Sequence, residues 1–162
     1  MFRRRASVIA PRVQEFLDEH RICYETLPHL TDFTAQETAE HTHTPGDAFA
    51  KAVIIETERG EVMLVLPADH EVELDRVERA LRSSDADLVP ENRLKRIFRD
   101  CDRGAIPPFG NLYGLEVFAA PTLLQNPTLT FNAGSHEMAI RMSRADYVEL
   151  VDPLLLDFSH HV

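Results

Sequence analysis

Apolar and polar residues alternate along several short stretches of the chain. Each such stretch predicts a β-strand, because successive side chains of a strand point to opposite faces. The stretches are ICYETLPH (22–29), DAFAKAVIIE (47–56), RGEVMLVLPA (59–68), LEVFAAP (115–121), TLTFNAG (128–134) and HEMAIRM (136–142). A Glu58-Arg59-Gly60 turn between the second and third predicts a hairpin.

Apolar residues spaced three and four apart predict helices between these strands. The segments are Pro11–His20, TDFTAQETAEH (31–41), VELDRVERAL (72–81), PENRLKRIFRDCDRG (90–104) and SRADYVELVDP (143–153). Thr34 with Glu37 and Ser143 with Asp146 have the spacing of capping boxes. The last residues, LDFSHHV, are predicted to be a tail. Four to six strands mixed with short helices, without strict β-α alternation, indicate an α+β fold with a mixed β-sheet.

Composition narrows the class of protein. With 162 residues and no linker or repeat, the chain is predicted to be one domain over 1–162. The two cysteines, Cys23 and Cys101, stand far apart, which fits a reducing compartment. The longest apolar runs are too short to cross a bilayer, so we expect a cytoplasmic protein and no membrane partner. A formal net charge of −10 weighs against a broad nucleic-acid interface and leaves room only for a local one.

The search for common catalytic and metal-binding motifs yields little. The chain has no G-x-S-x-G, Walker A, G-x-G-x-x-G or H-E-x-x-H spacing, and neither cysteine has a recognised catalytic context. Two histidine pairs, His41 with His43 and His160 with His161, lack a third ligand, so no metal site is predicted. The segment 90–104 has one basic face, with Lys95 at its edge, formed by Arg93, Arg96, Arg99 and Arg103. It is either a solvated outer face or a contact for a phosphate backbone.

Lys51 is one of only two lysines, and alternation places it among the apolar residues Phe49, Val53 and Ile55. An unpaired ammonium group is costly to bury, because it loses its hydration. Three arrangements avoid that cost. Lys51 pairs with an internal carboxylate, it extends along a sheet edge to solvent, or it faces a cleft where a ligand supplies the anion.

Two loops add candidate ligand contacts. In GAIPPFG (104–110), adjacent prolines stiffen the chain, and the flanking glycines let the backbone approach a ligand closely. In FNAGSH (131–136), a strand ends in a glycine turn that presents Ser135 and His136. Taken alone, these two loops are better explained as an ordinary tight connection and a turn with a structural histidine.

In this order, the strand lysine, the G-x-x-x-P loop (Gly104 to Pro108, continuing to Phe109-Gly110) and the G-x-H turn (Gly134-Ser135-His136) resemble the YbaK/prolyl-tRNA-synthetase-associated domain family. The segments TAQETAEH, LVLPADHEVELDRV and AGSHEMAIRMSRADYVELV extend the likeness to about 31–151. The resemblance implies a single-domain, partly barrel-like mixed sheet surrounded by short helices.

The resemblance also implies an activity, namely hydrolysis in trans of the ester that joins a wrong amino acid to tRNA, notably Ala or Cys on tRNA(Pro). It implies catalytic roles for Lys51, at the charged 3′ end of the tRNA, and for His136, at the terminal ribose. Gly104, Pro108, Phe109, Gly110, Gly134, Ser135 and Thr34 become expected substrate contacts. No metal, cofactor or covalent nucleophile is expected, and the expected partners are the CCA end of a mischarged tRNA and a synthetase.

Two other functions are compatible with the same residues. One is a non-catalytic binding or regulatory module that keeps the fold, and the other is a hydrolase for another small ester. The edited amino acid, the tRNA and the oligomeric state are not specified by these motifs.

Overall fold

A computed structural model describes residues 9–28, 35–42 and 44–162, without the side chains of residues 36, 37 and 41. In chain order the helices are α1 (Pro11–Glu19), α2 (Ala35–His41), α3 (Leu74–Leu81), α4 (Glu91–Ile97) and α5 (Arg144–Val151). The strands are β1 (Tyr24–Pro28), β2 (Phe49–Thr57), β3 (Gly60–Pro67), β4 (His70–Val72), β5 (Asp87–Leu88), β6 (Glu116–Ala119), β7 (Thr128–Asn132), β8 (Met138–Ser143), β9 (Leu154–Leu155) and β10 (Ser159–His161).

The main sheet is mixed, as predicted. Its order is β1-β8-β7-β2-β3-β6-β9, with β5 paired to the far end of β2. Strands β2 and β3 form the predicted antiparallel hairpin, which closes at Thr57 opposite Gly60. Strand β7 runs parallel to β2, and β10 pairs with β4 in a separate two-stranded ribbon. The central position of β2 places Lys51 in the middle of the molecule rather than at a sheet edge.

The two faces of the sheet carry different helices. Ala50 and Ile54 of β2 point into the largest core, together with apolar residues of α1, α4 and α5. On the opposite face, Phe49 packs with residues of α2, and Ile55 packs with residues of α3. We call this second side the Lys51 face, because alternation along β2 places Lys51 on it, between the two smaller cores.

The structure has ten strands among the described residues, more than the four to six predicted, and it differs from the sequence predictions at two further places. Helix α4 ends at Ile97, because Phe98 leaves the helical conformation (φ −112°, ψ 60°) and packs into the core at 3% exposure. Arg99 and Arg103 therefore lie beyond the helix. The predicted tail is wrong as well, since its residues add β10 to β4, and residues just before it form β9 beside β6.

The predicted helix caps have separate outcomes. Ser143 caps α5 as predicted, and its hydroxyl accepts a hydrogen bond from the Asp146 N–H at 3.1 Å. Thr34 and the Glu37 side chain lie outside the described residues. Within the described ranges, no helix has the length and apolar character needed to span a membrane.

Candidate functional site

Lys51 lies in the middle of β2, opposite Leu66 of β3, with its side chain half-buried. Its ammonium group donates a hydrogen bond to the Ala68 carbonyl at 3.4 Å. Burial lowers the pKa of Lys51, while the carboxylates of Glu71 and Asp69 act in the opposite direction. No carboxylate in the described part of the chain forms an ion pair with this ammonium group. The central position of β2 excludes the sheet edge among the three arrangements considered for Lys51, and a cleft facing an external anion stays a prediction.

Asn132 lies beside Lys51 and was missed in the sequence analysis. Strands β2 and β7 are parallel, with Phe49 opposite Thr130 and Ala50 opposite Phe131. The next residue of each strand is Lys51 and Asn132, so both side chains point to the Lys51 face. Asn132 is only 5% exposed, and its Oδ1 atom has no hydrogen-bond partner. The sequence did contain one signal for Asn132. It is an amide in an otherwise apolar strand, two residues before a glycine turn.

The G-x-x-x-P loop and the G-x-H turn meet directly at the end of β7. The Asp102 N–H donates to the Gly134 carbonyl at 2.7 Å, and the Gly134 N–H donates to the Ala105 carbonyl at 3.0 Å. A ring nitrogen of His136, Nε2, donates to the Arg103 carbonyl. A neutral His136 ring bonded in this way carries its acceptor lone pair on Nδ1. The positive φ angles of Gly104 (78°) and Gly134 (104°) explain why the two motifs contain glycine.

The second half of the loop is anchored in the core. Pro108, Phe109 and Gly110 are all buried, and the Phe109 ring packs edge-on against Phe131 and Tyr147. A Cβ atom on Gly110 would lie 2.8 Å from a methyl group of Val117. Contact of these three residues with a substrate stays a prediction. Their positions in the structure explain why the loop is rigid.

Tyr147 of α5 is the main polar support of this loop, because its buried hydroxyl donates to the Pro108 carbonyl at 2.7 Å. We expect Tyr147→Phe to lower the free energy of unfolding by about 1–2 kcal/mol, since a buried carbonyl loses its donor. Denaturant unfolding measures this change. Tyr24→Phe is the matched control, because the Tyr24 hydroxyl bonds to Asp18 at an exposed position. An equal loss in both variants would contradict a special role for the buried bond.

The remaining candidates divide into structural and unassigned residues. The Ser135 hydroxyl accepts from the Glu137 N–H at 3.3 Å and so stabilises the turn. Burial raises the pKa of Cys101 to about 12, which makes its thiol a poor nucleophile at neutral pH.

Thr34 lies outside the described residues, so its expected substrate contact stays a prediction. Among the residues with described positions, no group of three or more His, Cys, Asp or Glu side chains is arranged to hold a metal ion.

The C-terminal histidines contribute to the surroundings of Lys51. Because β10 pairs with β4, His161 lies 3.2 Å from an oxygen of Asp69, and His70 lies 3.0 Å from the Ser159 hydroxyl. Burial is the main cause that lowers the pKa of His70. The ribbon therefore holds Asp69, one of the two carboxylates that act on Lys51, in place.

Known proteins resemble the chain in both sequence and fold. The sequence pattern of the aminoacyl-tRNA editing domain matches residues 31–150. The multifunctional Ser/Thr-tRNA deacylase ProXp-y of Escherichia coli K12 is 24% identical over 159 residues, which are 95% of each chain. A crystal structure of a proposed trans-editing enzyme for prolyl-tRNA synthetase superposes with a TM-score of 0.80 at 19% identity, over 93% of this chain and 96% of the other.

A designed epitope-presenting scaffold protein has the same fold, with a TM-score of 0.81 at 18% identity, over 93% of this chain and 97% of the other. A shared fold by itself does not establish an activity. The match to the editing domain covers most of the chain and spans Lys51, the loop 104–110 and the turn 134–136. The chain therefore belongs to the aminoacyl-tRNA editing domain family, whose members are aminoacyl-tRNA deacylases.

Proposed function

We propose that this protein hydrolyses, in trans, the ester bond between a wrong amino acid and tRNA. The observation that carries this proposal is the junction at the end of β7. There the G-x-x-x-P loop is hydrogen-bonded to the G-x-H turn, and Asn132, two residues earlier, lies beside Lys51. In this proposal the cation, the buried amide and the rigid glycine loop act on one substrate at this end of the sheet.

The chemistry needed there is modest. An aminoacyl ester is easier to hydrolyse than an amide, so positioning a water molecule and stabilising the oxyanion with hydrogen bonds can suffice. Backbone N–H groups of the loop around Gly104 are the proposed oxyanion donors. Lys51 binds the phosphate of the terminal nucleotide, and His136 helps to position the terminal ribose. The covalent and metal-dependent routes are not part of this proposal.

The net charge of −10 limits how the tRNA is held. A protein that contacts only the CCA end needs few phosphate contacts, so local positive charge near Lys51 is enough. We propose that the protein acts in the cytoplasm, over 1–162 as one domain, either alone or beside an aminoacyl-tRNA synthetase. Binding of free tRNA is then weak and falls steeply with added salt.

For the amino acid, we propose serine or threonine. The name of the E. coli relative specifies a Ser/Thr-tRNA deacylase, and an unpaired amide oxygen at Asn132 suits a hydroxyl donor. A site that hydrogen-bonds a hydroxyl discriminates strongly against an analogue that lacks it. The editing of mischarged tRNA(Pro), which the resemblance implied, is kept as the proposal for the tRNA.

A panel of charged tRNAs tests the proposed function. Purified protein is incubated with Ser-, Thr-, Ala- and Cys-tRNA, each on tRNA(Pro) and on the cognate tRNA, and release of the amino acid is measured. We expect hydrolysis of at least one mischarged species well above the rate in buffer, and faster hydrolysis of Ser- and Thr-tRNA than of Ala-tRNA. Rates equal to buffer throughout would overturn the proposal and favour a non-catalytic binding module.

Asn132→Leu tests the role of the buried amide. Leucine removes a buried polar group that has no partner, so we expect the free energy of unfolding to stay equal or to rise by up to about 1 kcal/mol. At the same time we expect the ratio of kcat/KM for Ser-tRNA to that for Ala-tRNA to fall about tenfold.

Asn126→Leu serves as the control, because Asn126 lies outside β7 and its amide donates to the Asp47 and Leu123 carbonyls. We expect it to leave the Ser/Ala ratio unchanged while it lowers stability. If Asn132→Leu slows both substrates equally, Asn132 does not recognise the hydroxyl.

A further inference from the structure

A cavity of about 320 Å³ lies between α4 and the segment that leads into Gly104. Its floor includes the apolar side chains of Leu94, Phe98 and Ile106, and Gly104 borders it. These floor residues pack with the core that contains Ala50 and Ile54. The cavity is therefore on the side of the sheet opposite the Lys51 face, and the Gly104 segment separates the two.

Charges at the rim of this cavity are only partly neutralised. Of the basic face predicted from the sequence, Arg93 is paired with Glu56 at 2.8 Å and with Glu61 at 3.2 Å. Arg103 lies 3.4 Å from Glu91. Lys95 and Arg99, which also line the cavity, form no ion pair with any described residue. Two positive charges thus border an apolar hollow in a strongly acidic chain.

This combination of groups fits a nucleotide. An apolar floor formed by the partly exposed side chains of Leu94 and Ile106 accepts the face of a base, and neighbouring cations bind its phosphate. The rim also carries the Asp102 carboxylate, an acceptor of the kind that pairs with the exocyclic amine of cytosine. We propose that the cavity binds the cytidine that precedes the terminal adenosine of the tRNA. The base lies on Leu94 and Ile106, and the phosphate lies between Lys95 and Arg99.

This inference rests on the proposed function, and it extends that function by a second subsite. The terminal nucleotide, with its ester, is assigned to Lys51 and His136 on the other side of the Gly104 segment. His136 is bonded to the carbonyl of Arg103, and Arg103 also lines the cavity. Adjacent nucleotides of a single strand can therefore occupy the two sides of one short segment.

Binding of the dinucleotide cytidylyl-adenosine with a 5′ phosphate on the cytidine, which contains no aminoacyl ester to cleave, provides the test. Its affinity is measured by calorimetry for the wild type and for the double variant Lys95→Ala/Arg99→Ala. We expect the double variant to bind it about tenfold more weakly, while the affinity for adenosine monophosphate stays unchanged. Arg96→Ala is the matched control, because Arg96 is an exposed cation of the same helix that does not line the cavity. We expect it to bind like the wild type.

Three results would overturn the cavity assignment. They are equal dinucleotide affinity in the wild type and the double variant, an equal loss in Arg96→Ala, and wild-type affinity for 5′-phosphorylated uridylyl-adenosine as high as for 5′-phosphorylated cytidylyl-adenosine. The first two would show that the cavity makes no specific contact, and the third would remove the contact with Asp102. Failure of the proposed function gives a different result. In that case the protein hydrolyses no aminoacyl-tRNA, but its binding of the dinucleotide still depends on Lys95 and Arg99.

Discussion

Replacing Lys51 with alanine is expected to lower kcat/KM for the mischarged tRNA by about 100-fold, or about 2.7 kcal/mol of transition-state stabilisation. The reason is that the half-buried ammonium group has no ion pair with a described carboxylate, so in the proposed complex the substrate phosphate is its partner. Single-turnover release of the amino acid measures the effect. Lys51→Arg, which keeps the charge, is expected to retain more activity than Lys51→Ala. Full activity in Lys51→Ala would remove Lys51 from the site.

Lys51→Met separates this functional role from a structural one. Methionine keeps the length of the side chain and removes the cost of burying a charge, so we expect the free energy of unfolding to rise by about 1 kcal/mol at neutral pH. Loss of activity together with a gain in stability is characteristic of a group kept for its ligand. If Lys51→Met instead destabilises the protein, the ammonium group serves the fold through the Ala68 carbonyl.

The difference in unfolding free energy between Lys51→Met and the wild type is expected to change with pH in one direction. Burial lowers the pKa of Lys51 in the folded protein, whereas the unfolded chain keeps the ordinary value of 10.5. Below both values, each state holds the proton and the full cost of burial is present. Between them, the unfolded state binds more protons, so wild-type stability rises with pH. The advantage of Lys51→Met should therefore shrink as the pH rises through the lowered pKa toward 10.5.

Gly134→Ala is expected to lower the free energy of unfolding by about 3 kcal/mol or more. Gly134 has φ = 104°, and an added Cβ atom would lie 2.7 Å from the Ala10 Cβ and 3.0 Å from the Ala10 nitrogen. The same backbone segment is held by the hydrogen bond from the Ala10 N–H to the Ala133 carbonyl at 2.7 Å. Relief of the clash must move either α1 or the G-x-H turn, so the activity of the folded fraction should fall as well.

Gly60→Ala is a matched control for this prediction. Gly60 has φ = 102°, almost the same backbone conformation, but its added Cβ atom would meet nothing within 4 Å. Gly60→Ala therefore measures how much unfolding free energy is lost when alanine adopts this backbone conformation without a clash, about 1–2 kcal/mol. The difference between the two variants then measures the contact with Ala10. Equal losses in chemical denaturation would show that this contact is easily relieved.

Much of the local structure could be predicted from the sequence. The hairpin of β2 and β3 follows from two alternating stretches around Glu58-Arg59-Gly60, and α3 follows from the spacing of Leu74, Val77 and Leu81. Helix α4 was predicted too long, because the periodic apolar residues Phe98 and Cys101 do reach the core, but from a non-helical segment. Periodicity reports which side chains are buried and does not specify the backbone that carries them.

The candidate site was predicted in its parts but not in its arrangement. Lys51, Gly104 and His136 were singled out because their residue types and order are unusual, and local sequence is sufficient for that. Asn132 was overlooked, because one amide in a strand carries no signal until its neighbour is known. Its place beside Lys51 follows from the parallel pairing of β2 with β7, two strands separated by more than seventy residues.

The sequence by itself determined most of the longer strands and helices, the two glycine motifs and the position of Lys51 on an apolar strand face, because these depend on residues near one another in the chain. Only the tertiary structure decided which cations are neutralised. Arg93 is paired with Glu56 and Glu61 across the sheet, whereas Lys95 and Arg99 are left beside a cavity. It also made the C-terminal segment a strand next to Asp69. Ion pairs and strand partners join residues distant in sequence, so their outcome depends on the packing of the whole chain.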